Sequence, residues 1–361
     1  MKVVKAINPV DRTTDYILIN KELDIVVVVQ KYLNFLKATA KSPNTIKNYC
    51  YHLKLYFSFL EGICKDYNQV STDDLVGFIQ WLRKPIRSMQ VDFLFKENSV
   101  CNNTLNTIIA AISSFYQYTC RSENFINPVI YSATFMPTNG YKSFLIHTGK
   151  RIVAKNLLKC KVKKHIVTTI SDDKFNLFLS NIENIRDRLI ILLMHEGGLR
   201  IGEVLSLWIE DLFLWDKRIN IIPRDDLING ARGKSRSERF IDIPSGLCKL
   251  IDDYLLFHRP NCSDTNHLFV VGKGKNTGIP LSYDTVYKMF KYYEKKAGIK
   301  LSPHVLRHTH ATSLIKAGWD ASFVQKRLGH SQVQTTINTY IHLSDEDIKG
   351  AYEKYEQRKR D

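Results

Sequence analysis

Apolar positions recur every three or four residues through most of the first third of the chain, the spacing of helices that bury one face. Residues Lys21 to Ala38 are mostly apolar along one side. Ser42-Pro43 supplies an N-cap and a first-turn proline, after which Ile46, Tyr49, Leu53, Phe57 and Leu60 recur until Gly62 stops the pattern. Ser71 opens a helix that runs to Leu82, and Thr104 to Tyr118 carries Leu105, Ile108, Ile109, Ile112 and Phe115 on one face. No strand pattern interrupts these segments. Residues 21–134 are therefore expected to form a small all-helical domain, with residues 1–20 as an extension before it.

Beyond residue 168 the pattern is mixed. Ser171 caps one helix, and Arg186 to Glu196 forms another that ends at Gly197-Gly198. Two short β-type segments follow, Ile219 to Ile222 and Phe240 to Ile243, with a polar, basic turn between them. Helices resume at Ser245, Tyr283, Ser302, Asp320 and Ser331, and Ser344 to Asp361 reads as a charged tail helix able to pack in cis or on a neighbouring subunit. Residues 169–361 thus form a second domain, mainly helical with a small antiparallel sheet.

Charge changes this picture where it is unevenly placed. The 361 residues hold 52 Lys and Arg against 36 Asp and Glu, a formal +16 that favours a polyanionic partner, nucleic acid above all. Residues 1–134 and 169–361 are each only +4, with 15 basic against 11 acidic groups and 29 against 25. The 34 residues between them carry 8 basic groups and no acid, with the density at Lys150, Arg151, Lys155, Lys159, Lys161, Lys163 and Lys164. Pro137, Asn139-Gly140 and Gly149 break periodicity there, so 135–168 reads as a basic interdomain linker that tracks phosphates. The bland alternative is a solvated charged surface.

Several classes are excluded. The N-terminal residues contain acidic Asp11 and no apolar core of a secretory signal, and the longest apolar run, Leu189 to Met194, is too short to span a bilayer. Seven scattered cysteines without a C-x-x-C pair read as reduced thiols, so an intracellular protein is expected. Gly233-Lys234-Ser235 resembles the end of a phosphate-binding loop, but Ile228 stands where that motif needs glycine. His195-Glu196 begins a zinc-protease pattern that Leu199 breaks, and no other spacing suits a metal.

Four segments remain that fit one chemistry: Gly198-Leu199-Arg200-Ile201-Gly202-Glu203; Gly233-Lys234 through Glu238-Arg239; Ser302-Pro303-His304-Val305-Leu306-Arg307-His308; and Leu328-Gly329-His330-Ser331, followed by Tyr340. Singly, each has a structural explanation: Arg200 as a helix-end cap, Lys234 in a solvated hairpin, His330 at a helix boundary, Tyr340 as one of 18 tyrosines. The third segment says more. Ser302 as N-cap and Pro303 at the first helical position put His304 and Arg307, three residues apart, on one face near a helix N-terminus that favours anions. Arginines, a lysine, histidines and a tyrosine without metal ligands suit attack on a phosphodiester whose charge guanidinium groups neutralise.

Taken in order, these segments resemble the signature of the tyrosine recombinase, or phage integrase, family, and Ser42-Pro43-Asn44-Thr45-Ile46 with Tyr49 resembles the start of its core-binding domain. The resemblance covers residues 22–345, and length and layout are similar to transposases of bacterial site-specific transposons. It implies a two-domain clamp on DNA, a helical core-binding domain plus a mixed catalytic domain, acting in the bacterial cytoplasm as a homotetramer, with or without accessory transposition proteins. It implies Tyr340 as the nucleophile that forms a 3′-phosphotyrosine, Arg200 and Arg307 on the non-bridging oxygens, and Lys234 as general acid. His304 would accept the tyrosine proton, His330 would bond the phosphate and Glu203 would support the site, with neither ATP nor a metal ion consumed. Arg232 and Arg236 flank Lys234 and compete for its role, since the hairpin from Ile222 to Gly230 is longer than in many relatives. A type IB topoisomerase-like enzyme and a DNA-binding protein without catalysis are the competing readings.

Overall fold

The computed structural model describes residues 1–7, 14–83, 100–129, 131–136, 151–162, 168–224, 227–231, 237–261 and 265–329. The chain divides into two compact units, Met1–Lys164 and His165–Asp361.

In the first unit, helices α1 (Val27–Ala38), α2 (Pro43–Gly62), α3 (Thr72–Arg83) and α4 (Asn102–Glu123) follow the apolar spacing. Ser42 caps α2 by accepting the Thr45 backbone N–H at 3.2 Å, with Pro43 as the first helical residue. Asn124 in left-handed conformation ends α4. The helices converge on Tyr32, Tyr56, Phe78, Phe115 and Tyr116, all fully buried. Tyr116 Oη donates to the Tyr67 carbonyl at 2.9 Å, so the Tyr56 hydroxyl, 2.6 Å away, donates to Tyr116 and both buried phenols are satisfied.

Strands accompany these helices where none was expected. Within the expected extension, β1 (Lys2–Ile7) and β2 (Thr14–Ile19) pair antiparallel from Lys2↔Ile19 to Ile7↔Thr14. Leu18 is buried, and Met1, Val3 and Tyr16 pack on the helical core. The chain then folds back on β2, Val26 donating to the Leu18 carbonyl at 2.9 Å, so α1 starts at Val27 and not at Lys21.

The basic stretch read as a linker also departs from expectation. β3 (Tyr131–Met136) pairs antiparallel with β4 (Arg151–Asn156), so the stretch from its start as far as Lys164 belongs to the first unit, and only its last residues, from His165, fall in the second. After β4 the chain is fastened to α4. Asn156 Nδ2 donates to Ser113 Oγ at 2.7 Å, Asn106 holds the Cys160 amide and carbonyl at 2.8 and 3.0 Å, and Asn102 Nδ2 donates to the Lys161 carbonyl at 2.7 Å. Lys159 and Lys161 are exposed on this pinned segment. Lys150, Lys163 and Lys164 lie outside the described residues.

The second unit is built round α6 (Ile185–His195), whose run Leu189 to Met194 is buried. A helix apolar all round belongs at the centre of a core. It is packed by α10 (Pro303–Lys316), α8 (Ser245–Asp253) and α7 (Ile201–Leu205), with α5 (Asp172–Ser180), α9 (Tyr283–Ala297) and α11 (Ala321–Leu328) completing the helices. A three-stranded antiparallel sheet has the order β5 (Leu212–Phe213), β6 (Arg218–Ile221), β7 (Arg239–Asp242), in register Arg218↔Asp242 to Ile221↔Arg239. The long excursion after β6 is anchored at its start. Arg224 pairs bidentately with buried Asp211 at 2.7 and 2.8 Å and stacks on Trp208, while Asn229 Nδ2 donates to the Leu205 and Leu281 carbonyls at 3.0 Å.

No helix among the described residues is long and apolar enough to cross a membrane, and six of the cysteines are free thiols.

Replacing Asn106 by Ala removes both bonds to the Cys160 backbone. The substitution is expected to cost about 1–3 kcal/mol in denaturant unfolding and to accelerate hydrogen exchange at the Cys160 amide.

Candidate active site

The second unit turns sharply at the end of α6. Gly198 has φ +65°, and a Cβ there would meet His310 Cδ2 at 2.5 Å; one on Gly197 would meet the Leu193 carbonyl at 2.6 Å. Only glycine allows both the left-handed turn and this close approach. The turn delivers Arg200 to the N-cap of α7, with Glu203 three residues later. Glu203 Oε2 accepts the Arg200 backbone N–H at 2.9 Å, so the short helix orients its own carboxylate.

That carboxylate, 1% exposed, is the hub of the site. Arg200 Nη1 donates to Oε1 at 2.9 Å and Arg239 Nη2 to Oε2 at 2.9 Å, while Arg307 Nη1 lies 3.7 Å from Oε2. Burial pushes the Glu203 carboxyl up, but the Arg239 and Arg307 guanidinium groups outweigh it and hold the group below the usual carboxylate range. Glu203 is therefore an anion among three cations, leaving an excess of positive charge in a largely water-excluded place.

The same guanidinium groups gather the C-terminal carbonyls of α11. Arg239 Nε donates to the Arg327 carbonyl at 2.8 Å; Arg200 donates to the Leu328 and Gly329 carbonyls at 3.2 Å; Arg307 donates to Leu328 and, at 2.6 Å, to Gly198. These carbonyls are the negative end of the helix dipole and lack partners within the helix, so arginines are their natural caps. Arg327 reaches the other way, donating from Nε to His310 Nε2 at 3.0 Å and from Nη2 to the Asp242 carbonyl at 2.9 Å. His310 is kept neutral, its pKa pushed down to about 3 by burial first, then by the Arg327 and His195 charges. Nε2 is thereby an acceptor, and the ring's proton resides on Nδ1.

Of the residues expected from sequence, the fold brings Arg200, Glu203 and Arg307 together. His304 is exposed in the first turn of α10, one turn before buried Arg307, and Ser302 caps that helix by accepting the Val305 N–H at 3.4 Å. Lys234, His330 and Tyr340 lie outside the described residues. Arg151 and Lys155 are on β4, opposite Met136 and Ser132. Sequence reasoning missed Arg239, His310 and Arg327. His310 follows Arg307 by three residues, a spacing that puts them on one helix face, and Arg239 closed the second of the four motif segments without a role of its own.

Comparison with known proteins agrees with these motifs. The phage integrase family profile matches residues 168–347, and the profile of the phage integrase N-terminal SAM-like domain matches residues 29–123. Transposase A from transposon Tn554 of Staphylococcus aureus is 41% identical over 95% of each chain. Tyrosine recombinase XerA of Pyrococcus furiosus is 30% identical over 91% of this chain and 93% of its own. Among solved structures, XerH site-specific recombinase bound to a palindromic difH substrate has a TM-score of 0.62 at 18% identity, covering 91% of this chain and 95% of that one. The Tn1549 transposon integrase bound to transposon right end DNA has a TM-score of 0.60 at 16% identity, covering 91% and 99%. These likenesses establish the fold: helical, with small antiparallel sheets.

His310 gives a pH test of the site. The unfolded chain protonates it below about pH 6.5 while the folded protein does not, so its contribution is present above that pH and is lost as pH falls towards the folded value near 3. On going from pH 7.5 to 5, His310→Gln is expected to lose about 2 kcal/mol less unfolding free energy than wild type in denaturant titrations.

Proposed function

The chain belongs to the phage integrase family, and we propose that it is a site-specific DNA recombinase that cuts and rejoins double-stranded DNA through a 3′-phosphotyrosine, in transposition or integration of a mobile element. The observation that carries this is the convergence of Arg200 and Arg307 on one buried carboxylate, beside the helix end that leads in sequence into His330 and Tyr340. The relatives that are transposases and integrases of transposons favour this reading over a topoisomerase acting on one duplex.

In the proposed reaction the Tyr340 hydroxyl attacks the scissile phosphorus. Its phenol, with a pKa of about 10 when unperturbed, gives its proton to His304 as the P–O bond forms. The P–O5′ bond breaks, and the departing 5′-oxygen takes a proton from Lys234. Arg200 and Arg307 neutralise the charge that grows on the non-bridging oxygens, the work a metal ion performs elsewhere, and His330 donates to the same phosphate. One phosphodiester is exchanged for another, so no ATP is spent. A 5′-hydroxyl from a partner strand then attacks the phosphotyrosine and restores the DNA backbone. Repetition on a second pair of strands, within a homotetramer on DNA, completes the exchange. The basic residues Lys150, Arg151, Lys155, Lys159, Lys161, Lys163 and Lys164 add sequence-independent phosphate contacts. Accessory transposition proteins are further partners in this reading.

Nicked suicide duplexes carrying the junction sequences that flank the gene test the chemistry. Wild type is expected to trap a covalent protein–DNA adduct in the presence of EDTA and to join two duplexes when both partners are supplied. Tyr340→Phe should give no adduct, and Arg200→Ala or Arg307→Ala should slow its formation about 10²–10³-fold. Absence of adduct in wild type would refute the recombinase reading. Replacing Lys159 and Lys161 by Ala is expected to lower the slope of log binding constant against log salt by about 1.8, while adduct still forms at low salt.

A further inference from the structure

Arg239 belongs to none of the sequence-predicted roles, yet among the described residues it is one of two side chains that hydrogen-bond the buried Glu203 carboxylate. Its place at the first residue of β7 is fixed by the sheet, where it pairs with Ile221. From there one guanidinium edge makes two contacts of different kinds: Nη2 to Glu203 Oε2 at 2.9 Å and Nε to the Arg327 carbonyl at 2.8 Å. Lysine, with a single ammonium centre, cannot reproduce that fork.

The acceptor arithmetic on Glu203 matters. Oε1 takes Arg200 Nη1, whereas Oε2 takes both the Arg200 backbone N–H and Arg239 Nη2. Arg307 stays 3.7 Å from Oε2, beyond a hydrogen bond, and spends two of its N–H groups on the Gly198 and Leu328 carbonyls. Carbonyls are neutral acceptors, which a phosphate oxygen can replace without separating an ion pair; a buried carboxylate is not so easily displaced. Without Arg239, Oε2 would have room for Arg307 to move in from 3.7 Å, and the cluster would lose one cation while another drew closer to the carboxylate. A stability role alone accounts poorly for the residue, because Arg239 Nη1 is buried without a hydrogen-bond partner among the described residues, a costly arrangement for a charged donor.

We propose that Arg239 is a positioning residue for DNA cleavage: by occupying Glu203 Oε2 and the Arg327 carbonyl, it holds Arg307 at 3.7 Å from that oxygen, at ion-pair distance and short of the closer contact that Arg200 makes, and so preserves the charge that Arg200 and Arg307 offer the scissile phosphate. This rests on the recombinase reading. Arg239 need not touch DNA, and its effect passes through the charge on the non-bridging oxygens.

A substrate that lacks that charge therefore tests it. Single-turnover adduct formation would be measured for wild type, R239Q and R239K on two suicide duplexes of the same junction sequence. One carries the natural scissile phosphate and the other a neutral methylphosphonate at that position. On the phosphate, R239Q is expected to slow adduct formation about 30-fold at saturating DNA, somewhat below the loss from removing a donor that touches the oxygens, with little change in the DNA concentration giving half-maximal rate. R239K, which keeps the charge but not the fork, should fall between R239Q and wild type. On the methylphosphonate the R239Q deficit should shrink to about threefold, because there is less charge to neutralise. An equal deficit on both substrates, or R239Q cleaving the phosphate at the wild-type rate, would overturn the assignment. If R239Q does not fold, R239K carries the same comparison. Wild type failing to form adduct on either duplex would remove the recombinase reading and this assignment with it, an outcome distinct from a variant-specific result.

Discussion

The Glu203 carboxylate is the interaction on which the second unit's organisation depends. Three guanidinium groups from α7, β7 and α10 approach one another in a place with little water, where like charges repel strongly. A single buried anion makes that approach tolerable, and because the carboxylate is oriented by the Arg200 backbone N–H, its direction is set by the local helix and not by a flexible side chain alone. A buried carboxylate surrounded by cations compensates its desolvation only when nearly every lone pair is used, which the contacts of Glu203 achieve. The excess positive charge that remains is the property a phosphodiester transition state requires.

The second constraint is the close approach of α6, α10 and α11. Gly198 lets the backbone after α6 pass against His310, and His310 in turn accepts from Arg327 on α11. The carbonyls of Arg327, Leu328 and Gly329 then fall within reach of Arg239, Arg307 and Arg200. Arginine suits this role because its planar fork serves a carboxylate and a carbonyl at once. The apolar run of α6 holds the arrangement together by anchoring α10 and the start of α7 in one core.

Elements governed by local rules were legible in the sequence. The helix from Pro43 to Gly62 begins at the cap and proline that announce it and ends at the glycine that closes it, and the helices from Thr72, Tyr283 and Pro303 follow equally local signals. The strands of the first unit were not legible. β3 and β4 are separated by residues 137–150, and β1 and β2 by residues 8–13, so neither pair shows the two-residue turn that marks a tight hairpin. Asn102, Asn106 and Asn156 were equally silent, since a side-chain amide that replaces a strand partner leaves no periodic trace.

The sequence by itself determined the family, the helical character of both units, and Arg200, Glu203 and Arg307 as residues of one site, because motif order and helix signals are encoded in neighbouring positions. Tertiary structure alone decided that Arg239, His310 and Arg327 join that site, and that residues 156–161 of the supposed linker are fastened to the helical unit. The reason is physical: charge pairing and burial act between groups close in space. Arg239 is 36 residues from Glu203 and 88 from Arg327, distances along the chain over which composition and spacing carry no information about contact.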